Sequence, residues 1–510
     1  MEYNLSKHSV GYLSSFLDTV NEQIVDADIT LPDYCPDIEK ILKCTLTQKV
    51  YTKKISGGQL TVDGCSTVRI LYCDSIRHHV RCFEQSVPFT ANFNLKSTPE
   101  QYIVMVDTKS EYVNCRALSP RKLVVHGAFS LYAKVLCKGV NEVYSFDEDC
   151  DLQVKHKNLL ISDLNAICQE QFSVSEDINV STQPPVEAML SYEVFSNITE
   201  LKSIHNKIML NAELTLRALY ISDLDKGTIE HLSYVFPINK IFDCDGVMDD
   251  TVNVVELEIM SSDLHIRNDN LNDGSLLALD VKMCFSEIGY NNKNVSIIDD
   301  AYSTNYLVEQ NRTSLNCEAN HNLKNFTHIV KSTVSLDSIK ISKILDFYSE
   351  GVFLTPLIAD NTLTLSGKTN ICILLEDSDK VPNYIERSIE LDYKPEINDS
   401  FDKANLLSSK VHSISYRLID DNTIEIRLEL KMRALLCETV NESPVTFVQA
   451  KEDSKIKSDD CSLILYFAEK GESLWEIAKM YKTKESLLIT ENSLDCEKLD
   501  TDKMILVPTQ

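Results

Sequence analysis

The sequence lacks any run of about 20 apolar residues, the length that a membrane-spanning helix requires. Its beginning also lacks the basic end, the apolar stretch and the small-residue cleavage site of a signal peptide. These absences predict a protein that is not inserted into a membrane and that stays in the cytoplasm.

The chain has few basic residues compared with acidic ones. It contains 50 lysine and arginine residues and 77 aspartate and glutamate residues, which gives a formal net charge of -27. A surface of this sign repels phosphate backbones and anionic membranes. Nucleic acid and lipid are therefore not expected as partners, and either a basic protein or a chain end exposed on a partner is favoured.

None of the 16 cysteines belongs to a CxxC pair, and all are scattered singly along the chain. In a reducing cytosol such residues mostly behave as small buried hydrophobic side chains. We expect structural thiols, with neither a zinc site nor a redox site.

Catalytic signatures such as GxSxG, HExxH and GxGxxG are also missing. Residues 366–369 (SGKT) resemble the end of a P-loop, but Thr362 stands where the first glycine is required. His78 and His79 are adjacent to arginines and are expected in a solvated loop rather than at a metal. The sequence predicts no enzyme, no catalytic residue, no metal and no cofactor.

What the sequence does contain is an internal repeat. Ile38–Leu42 aligns with Val186–Leu190 and with Ile341–Leu345, at offsets of 148 and then 155 residues. Similar offsets align later segments across about 100 residues, which identifies a repeat architecture.

Within each repeat, apolar and polar residues alternate, as in Thr423–Met432. This period of two indicates antiparallel strands with one buried face. Turn-forming residues at 56–58, 271–274 and 420–422 separate the strands. The predicted fold class is mainly β, with three tandem sandwich-like repeats of about 150 residues.

The clearest local motif is Ile29–Ile38, in which Pro32 and Pro36 bracket an aspartate and an aromatic residue before a helix-like segment at 38–42. With this motif and the repeats, most of residues 20–440 resembles the SPOCS domains of endospore-forming bacteria. The second and third repeats lack the full motif, so their equivalence depends on offset and strand pattern.

The last 50 residues have a different pattern. A polar stretch at 451–460 precedes an apolar strand at 462–467 and a turn at Gly471. Ser473 and Glu476 predict a helix with a capping box. A second helix is expected near Thr483, with Leu487 and Leu488 on its buried side, and a closing strand at 504–508 completes a βααβ order.

This order, together with residues 471–478 (GESLWEIA) and the final ILVP, resembles a LysM domain. The resemblance implies a groove between the loops 470–474 and 490–494, which in LysM domains binds polymers of N-acetylglucosamine. Where LysM domains usually have Gly-Asp in the first turn, this chain has Gly471-Glu472. Where they usually have Pro-Gly before the last strand, it has Thr501-Asp502. These acidic replacements favour a protein partner over a sugar. The residues predicted to contact a partner are Ile464, Tyr466, Lys470, Gly471, Glu472, Ser473, Leu474, Trp475 and Asn492.

Trp475 is the only tryptophan in the chain, and two interpretations of it remain open. It either packs in a small core or serves as an exposed anchor, because interface hot spots are enriched in tryptophan. Both roles can hold together.

The combination of SPOCS-like repeats and one LysM domain resembles a family of spore-coat morphogenetic proteins. It implies a non-enzymatic scaffold in the mother-cell cytoplasm at the forespore surface, which binds the coat basement-layer ATPase (stage IV sporulation protein A) and possibly other coat proteins. The alternative is a binder of peptidoglycan or another N-acetylglucosamine glycan. The predicted domains are an amphipathic segment at 1–20, repeats at 21–150, 168–300 and 325–440, a polar linker at 441–460 and the LysM domain at 461–510.

Overall fold

The computed structural model describes residues 3–146, 151–267, 276–336, 339–455, 463–495 and 498–508. Eighteen of its strands form three units of six strands each. Unit 1 comprises β1 (Ser6–Thr30), β2 (Ile38–Ser56), β3 (Gln59–Asp74), β4 (Val80–Asn94), β5 (Tyr102–Ser119) and β6 (Lys122–Ser145). Unit 2 comprises β7 (Leu152–Asn179), β8 (Ala188–Ile204), β9 (Lys207–Asp223), β10 (Thr228–Asp243), β11 (Val252–Arg267) and β12 (Leu276–Ser303).

A short strand, β13 (Tyr306–Arg312), leads into the third unit. Unit 3 comprises β14 (Leu315–Ser335), β15 (Ile341–Ala359), β16 (Thr362–Asp377), β17 (Pro382–Tyr393), β18 (Lys403–Asp420) and β19 (Thr423–Glu442), and β20 (Val445–Lys455) follows it. The C-terminal domain comprises β21 (Leu463–Ala468), α1 (Leu474–Tyr481), α2 (Glu485–Asn492) and β22 (Lys503–Pro508). We call everything before the C-terminal domain the trunk.

The three units have one topology. In each, the first, sixth and fifth strands form one antiparallel sheet, and the second, third and fourth strands form another. A single apolar cluster lies between the two sheets of each unit. The expected sandwich-like repeats are therefore confirmed.

Alternation accounts for the burial in these sheets. In β19, Ile424, Ile426 and Leu428 are buried, whereas Glu425 and Arg427 between them point away from the core. The β2–β3 hairpin turns at Gly57 and Gly58, whose positive φ angles of 58° and 73° suit a two-residue turn of this kind. The expected turn at 271–274 lies outside the described residues.

The segment Ile38–Leu42, expected to look helical, is the beginning of β2. Register shifts after Ile38 and after Ile41 insert extra residues into this strand. A bulge breaks the period of two, and apolar residues then recur at a spacing that resembles a helix. β8 and β15 begin with similar shifts, so the bulge itself is repeated.

The structure also differs from two of the expected boundaries. Within the expected amphipathic segment 1–20, residues 6–20 belong to β1, which continues beyond residue 20 and pairs with β6 along its length. The expected polar linker 441–460 includes β20, which pairs with β13 and buries Val445 and Val448. Lys451 and Lys455 of this strand are exposed, and the polar composition alone indicated a linker.

The repeated positions of the three units meet at one centre. Leu71, Leu219 and Leu374, which occupy equivalent places in β3, β9 and β16, are buried in a single cluster. Leu190 and Leu345, from the aligned segments that first revealed the repeat, lie in the same cluster. The repeated pattern thus reflects contacts between the units as well as the core within each.

One pair of cysteines departs from the expectation of free thiols. Cys168 and Cys244 form a disulfide with a Cα–Cα distance of 5.8 Å across 76 residues of sequence. A CxxC motif indicates only cysteines that are close together in the sequence. Because Cys168 and Cys244 are 76 residues apart, the sequence did not indicate that they pair. Several other cysteines, such as Cys65 and Cys284, are buried thiols.

Candidate partner-binding site in the C-terminal domain

The C-terminal domain has the expected βααβ order. Strands β21 and β22 pair antiparallel from Leu463–Pro508 to Ala468–Lys503, and we call this pair the ribbon. Leu474, Ile477 and Ala478 of α1 and Leu488 of α2 are buried in its core. The second helix begins at Glu485, two residues from the expected start near Thr483, and Leu487 is only half-buried.

The start of α1 differs from the expected capping box. Ser473 occupies the N-cap position with extended backbone angles, but its side chain makes no capping hydrogen bond. Its backbone instead forms a bridge with Lys498. The sequence located the helix start correctly but not the interaction that holds it.

The loop before α1 is tied to the chain that enters β22. The Gly471 amide donates to the Leu499 carbonyl at 2.8 Å, and the Leu499 amide donates to the Glu472 carbonyl at 3.0 Å. Asp502, which replaces the usual glycine, accepts a hydrogen bond from the Lys470 amide at 2.8 Å. These bonds hold loop 470–473 in place. They also occupy the amides of Lys470 and Gly471 and the carbonyl of Glu472, so these groups already have partners within the domain.

Asn492, predicted to contact a partner, is bonded within the domain. Its amide nitrogen donates to the carbonyls of Leu506 at 2.7 Å and Leu488 at 2.9 Å, and its oxygen accepts from the Leu506 amide at 2.7 Å. The side chain therefore joins α2 to β22.

The ribbon presents different residues on its two faces. Ile464 and Tyr466, also predicted to contact a partner, are partly buried against the core, and the Tyr466 hydroxyl donates to Glu472 Oε1 at 3.3 Å. The opposite face carries three apolar cross-strand pairs, Leu463–Pro508, Leu465–Leu506 and Phe467–Met504. Leu463, Leu465, Phe467 and Met504 are 49%, 64%, 61% and 57% exposed.

Sequence reasoning missed this outer face, although a signal for it was present. The stretch LILYF has no polar residue at either alternate position. A ribbon with one solvated face ordinarily shows polar residues there. An apolar run in so small a domain therefore indicates either a second buried face or a binding surface.

Trp475 is 4% exposed, so it is not an exposed anchor in this structure. Its ring packs against Tyr302 of the trunk, with ring centroids 4.9 Å apart, and its Nε1 donates to Asp300 Oδ2 at 2.9 Å. The core interpretation accounts for the burial, but part of that core comes from the trunk.

Three groups of histidine, cysteine and carboxylate side chains in the described residues are close enough together to approach one cation. In two of them a lysine already pairs with a carboxylate, Lys403 with Glu318 and Lys43 with Glu386. In the third, His78 Nδ1 lies 2.5 Å from Glu39 Oε2, and the His78 side chain is half-exposed, in a loop as expected.

Within the described part of the chain, no helix is long and apolar enough to cross a membrane.

Comparison with known families gives two matches. The family model described as "SipL, SPOCS domain" matches residues 37–118 and 185–267, and the model described as "LysM domain" matches residues 468–508. No significant match was found among curated proteins or among solved structures. Unit 3 lies outside the matched regions but shares their strand order.

Units 1 and 2 also share a contact that distinguishes them from unit 3. The Tyr72 hydroxyl donates to the Pro36 carbonyl at 3.3 Å, and the equivalent Tyr220 donates to the Pro184 carbonyl at 3.1 Å. Unit 3 has Leu375 at this position, which cannot make the bond.

The SPOCS and LysM families consist of binding and scaffold domains, and the SipL family is associated with sporulation. The two matches agree with the order of domains expected from the sequence. The chain therefore contains two regions that match the SPOCS domain model of the SipL family, and a LysM domain at its C-terminal end.

Proposed function

We propose that this protein is a non-enzymatic scaffold of spore-coat assembly whose LysM domain binds a protein partner. The observation that supports this most strongly is the apolar outer face of the ribbon. An exposed apolar surface of adjoining side chains, rimmed by charged residues such as Glu469 and Asp502, is typical of a protein interaction site.

The partner that the family resemblance implies is the coat basement-layer ATPase, stage IV sporulation protein A. On this proposal the protein acts in the mother-cell cytoplasm at the forespore surface. The trunk would then join captured partners to the rest of the coat. No catalytic step is required of this chain in that role.

The ribbon is better suited to this contact than the loops first predicted. Loop 470–473 and Asn492 are occupied by hydrogen bonds within the domain, whereas Leu465 and Phe467 have most of their side-chain surface free. Burying such side chains at an interface stabilises a complex by roughly 1.5 to 3 kcal/mol each.

The test replaces Leu465 by Glu in the full chain and measures binding to purified stage IV sporulation protein A by titration. A carboxylate desolvated at the centre of the interface should reduce affinity by at least tenfold, about 1.4 kcal/mol. The control is Met480→Glu, which changes an exposed apolar residue of α1 in the same domain. Equal affinity for the Leu465 variant and the unaltered chain would rule out the ribbon as the contact.

The match to the LysM family also favours a second candidate, a binder of N-acetylglucosamine polymers. Such a ligand would lie against loops 470–474 and 490–494. Titration with peptidoglycan fragments decides between the two, because saturable binding that Leu465→Glu leaves unchanged would favour the glycan.

A further inference from the structure

The LysM domain lies against one end of unit 2, and a carboxylate is at the centre of the contact. Asp300 near the end of β12 accepts hydrogen bonds from Trp475 Nε1 at 2.9 Å and from Lys479 Nζ at 2.5 Å. On its trunk side it accepts a third from Gln310 Nε2 at 3.2 Å, with Arg312 at 3.8 Å. The Asp300 side chain is only 13% exposed.

Tyr302, two residues further along the strand, completes the contact. It is buried in the LysM core cluster, although it belongs to the trunk. Its hydroxyl donates to the Thr483 carbonyl at 2.7 Å, between α1 and α2. Lys482 Nζ lies 5.8 Å from the centre of its ring.

The charges of this contact are matched. Burial acts to raise the pKa of Asp300, but hydrogen bonds from Lys479, Trp475 and Gln310 together hold that pKa below its ordinary value. Because the carboxylate stays ionised, it remains a strong acceptor for charged and neutral donors. An ionised carboxylate this deeply buried is stable only while those donors are present.

The contact is specific to one place in a threefold repeated trunk. β12 has 28 residues, compared with 24 in β6 and 20 in β19. Asp300 and Tyr302 lie in the part of β12 that extends beyond the ends of the equivalent strands. One LysM domain therefore has one docking position among three similar units.

We infer that the end of β12 is a docking surface for the chain's own LysM domain, with Asp300 as a latch that holds Trp475. In the docked chain Trp475 is a contact to the trunk rather than to a partner. The outer face of the ribbon stays exposed in this state, so docking fixes the direction in which that face points. This inference requires no partner and goes beyond the proposed function.

The single tryptophan reports on the latch directly. In the full chain without any partner, Asp300→Ala should shift the emission of Trp475 to longer wavelength and increase its quenching by acrylamide. The control is Asp299→Ala, which removes the neighbouring carboxylate, paired with Lys155 at 3.8 Å and largely outside the contact. Emission and quenching of Asp300→Ala identical to the unaltered chain would overturn the inference.

Unfolding of the LysM domain would also expose Trp475, and hydrogen exchange separates the two cases. Release predicts that amides of β21, β22 and α2 stay protected in Asp300→Ala while those at the start of α1 and at 300–302 exchange faster. Loss of protection throughout the LysM domain would mean that Asp300 supports folding rather than docking, which would also overturn the inference. Neither measurement involves a partner, so failure of the proposed function leaves them unaffected.

Discussion

Asn492 was predicted to contact a partner, but its hydrogen bonds show that it stabilises the LysM domain itself. Two of its hydrogen bonds run from α2 to β22 and satisfy the backbone of Leu506 in the middle of the ribbon, and a third goes to the Leu488 carbonyl within α2. Removing the side chain leaves those groups without a partner, at a cost of about 1 to 3 kcal/mol.

We therefore expect Asn492→Ala to lower the thermal stability of the LysM domain, followed by Trp475 fluorescence. The matched control is Glu491→Ala, which removes an exposed side chain next to it in the same helix. An Asn492→Ala domain of unchanged stability that loses the protein partner would restore the direct binding role predicted from the sequence.

Glu287 is a buried residue of the trunk whose carboxyl oxygens have no hydrogen-bond partner among the residues that the structure describes. Burial raises the pKa of Glu287 to about 8, and the positive charge of Arg433 only partly opposes this. The folded state thus keeps a proton that the unfolded state loses at its ordinary pKa of 4.5.

Because the folded state binds more protons between these two values, the free energy of unfolding should fall as pH rises from about 4.5 to about 8. The largest possible slope from one group is about 1.4 kcal/mol per pH unit. Glu287→Gln should remove this part of the pH dependence and stabilise the trunk at about pH 8, measured by denaturant unfolding. Glu170→Gln, at an exposed position of β7, is the control, and a pH profile unchanged in Glu287→Gln would contradict the account.

At the scale of elements, sequence patterns identified some of the strands and both helices of the C-terminal domain, but not what each face contacts. Alternation predicted β19 because burial on one face imposes a period of two, whereas short apolar runs predicted the two ribbon strands. The opening of β2 looked helical because bulges shift its apolar residues, and no single sequence shows where a bulge occurs. The charged strand β20 looked like a linker because its partner, β13, is more than 130 residues away in sequence.

The candidate site shows the same limit. The sequence located the LysM domain and the strand that carries the proposed binding surface, but it favoured Ile464 and Tyr466 over Leu463, Leu465 and Phe467. Both alternate sets in this strand are apolar, so hydrophobicity cannot tell which set faces the helices. The role of Trp475 depends on its contacts with Asp300 and Tyr302. Asp300 is 175 residues away from Trp475 in the sequence, so no local pattern could indicate this contact.

At the scale of the whole molecule, the three units pack against one another through a shared apolar cluster rather than standing as separate domains. Leu71, Leu219 and Leu374 share a buried cluster, and Lys53 of unit 1 is buried against Glu258 of unit 2 with a 2.5 Å ion pair. Burial raises the pKa of Glu258, and the nearby Lys53 ammonium opposes this. A trunk built this way offers a continuous packed base from which one LysM domain projects its ribbon.

The most direct test of this account compares two chains for binding to purified stage IV sporulation protein A: the full chain and a chain that ends at Lys455. Circular dichroism first establishes that the shortened chain keeps its β structure, since removal of the LysM domain exposes Tyr302. The account predicts saturable binding by the full chain and none by the folded trunk alone. Undiminished binding by the trunk would contradict the claim that the LysM domain captures the partner.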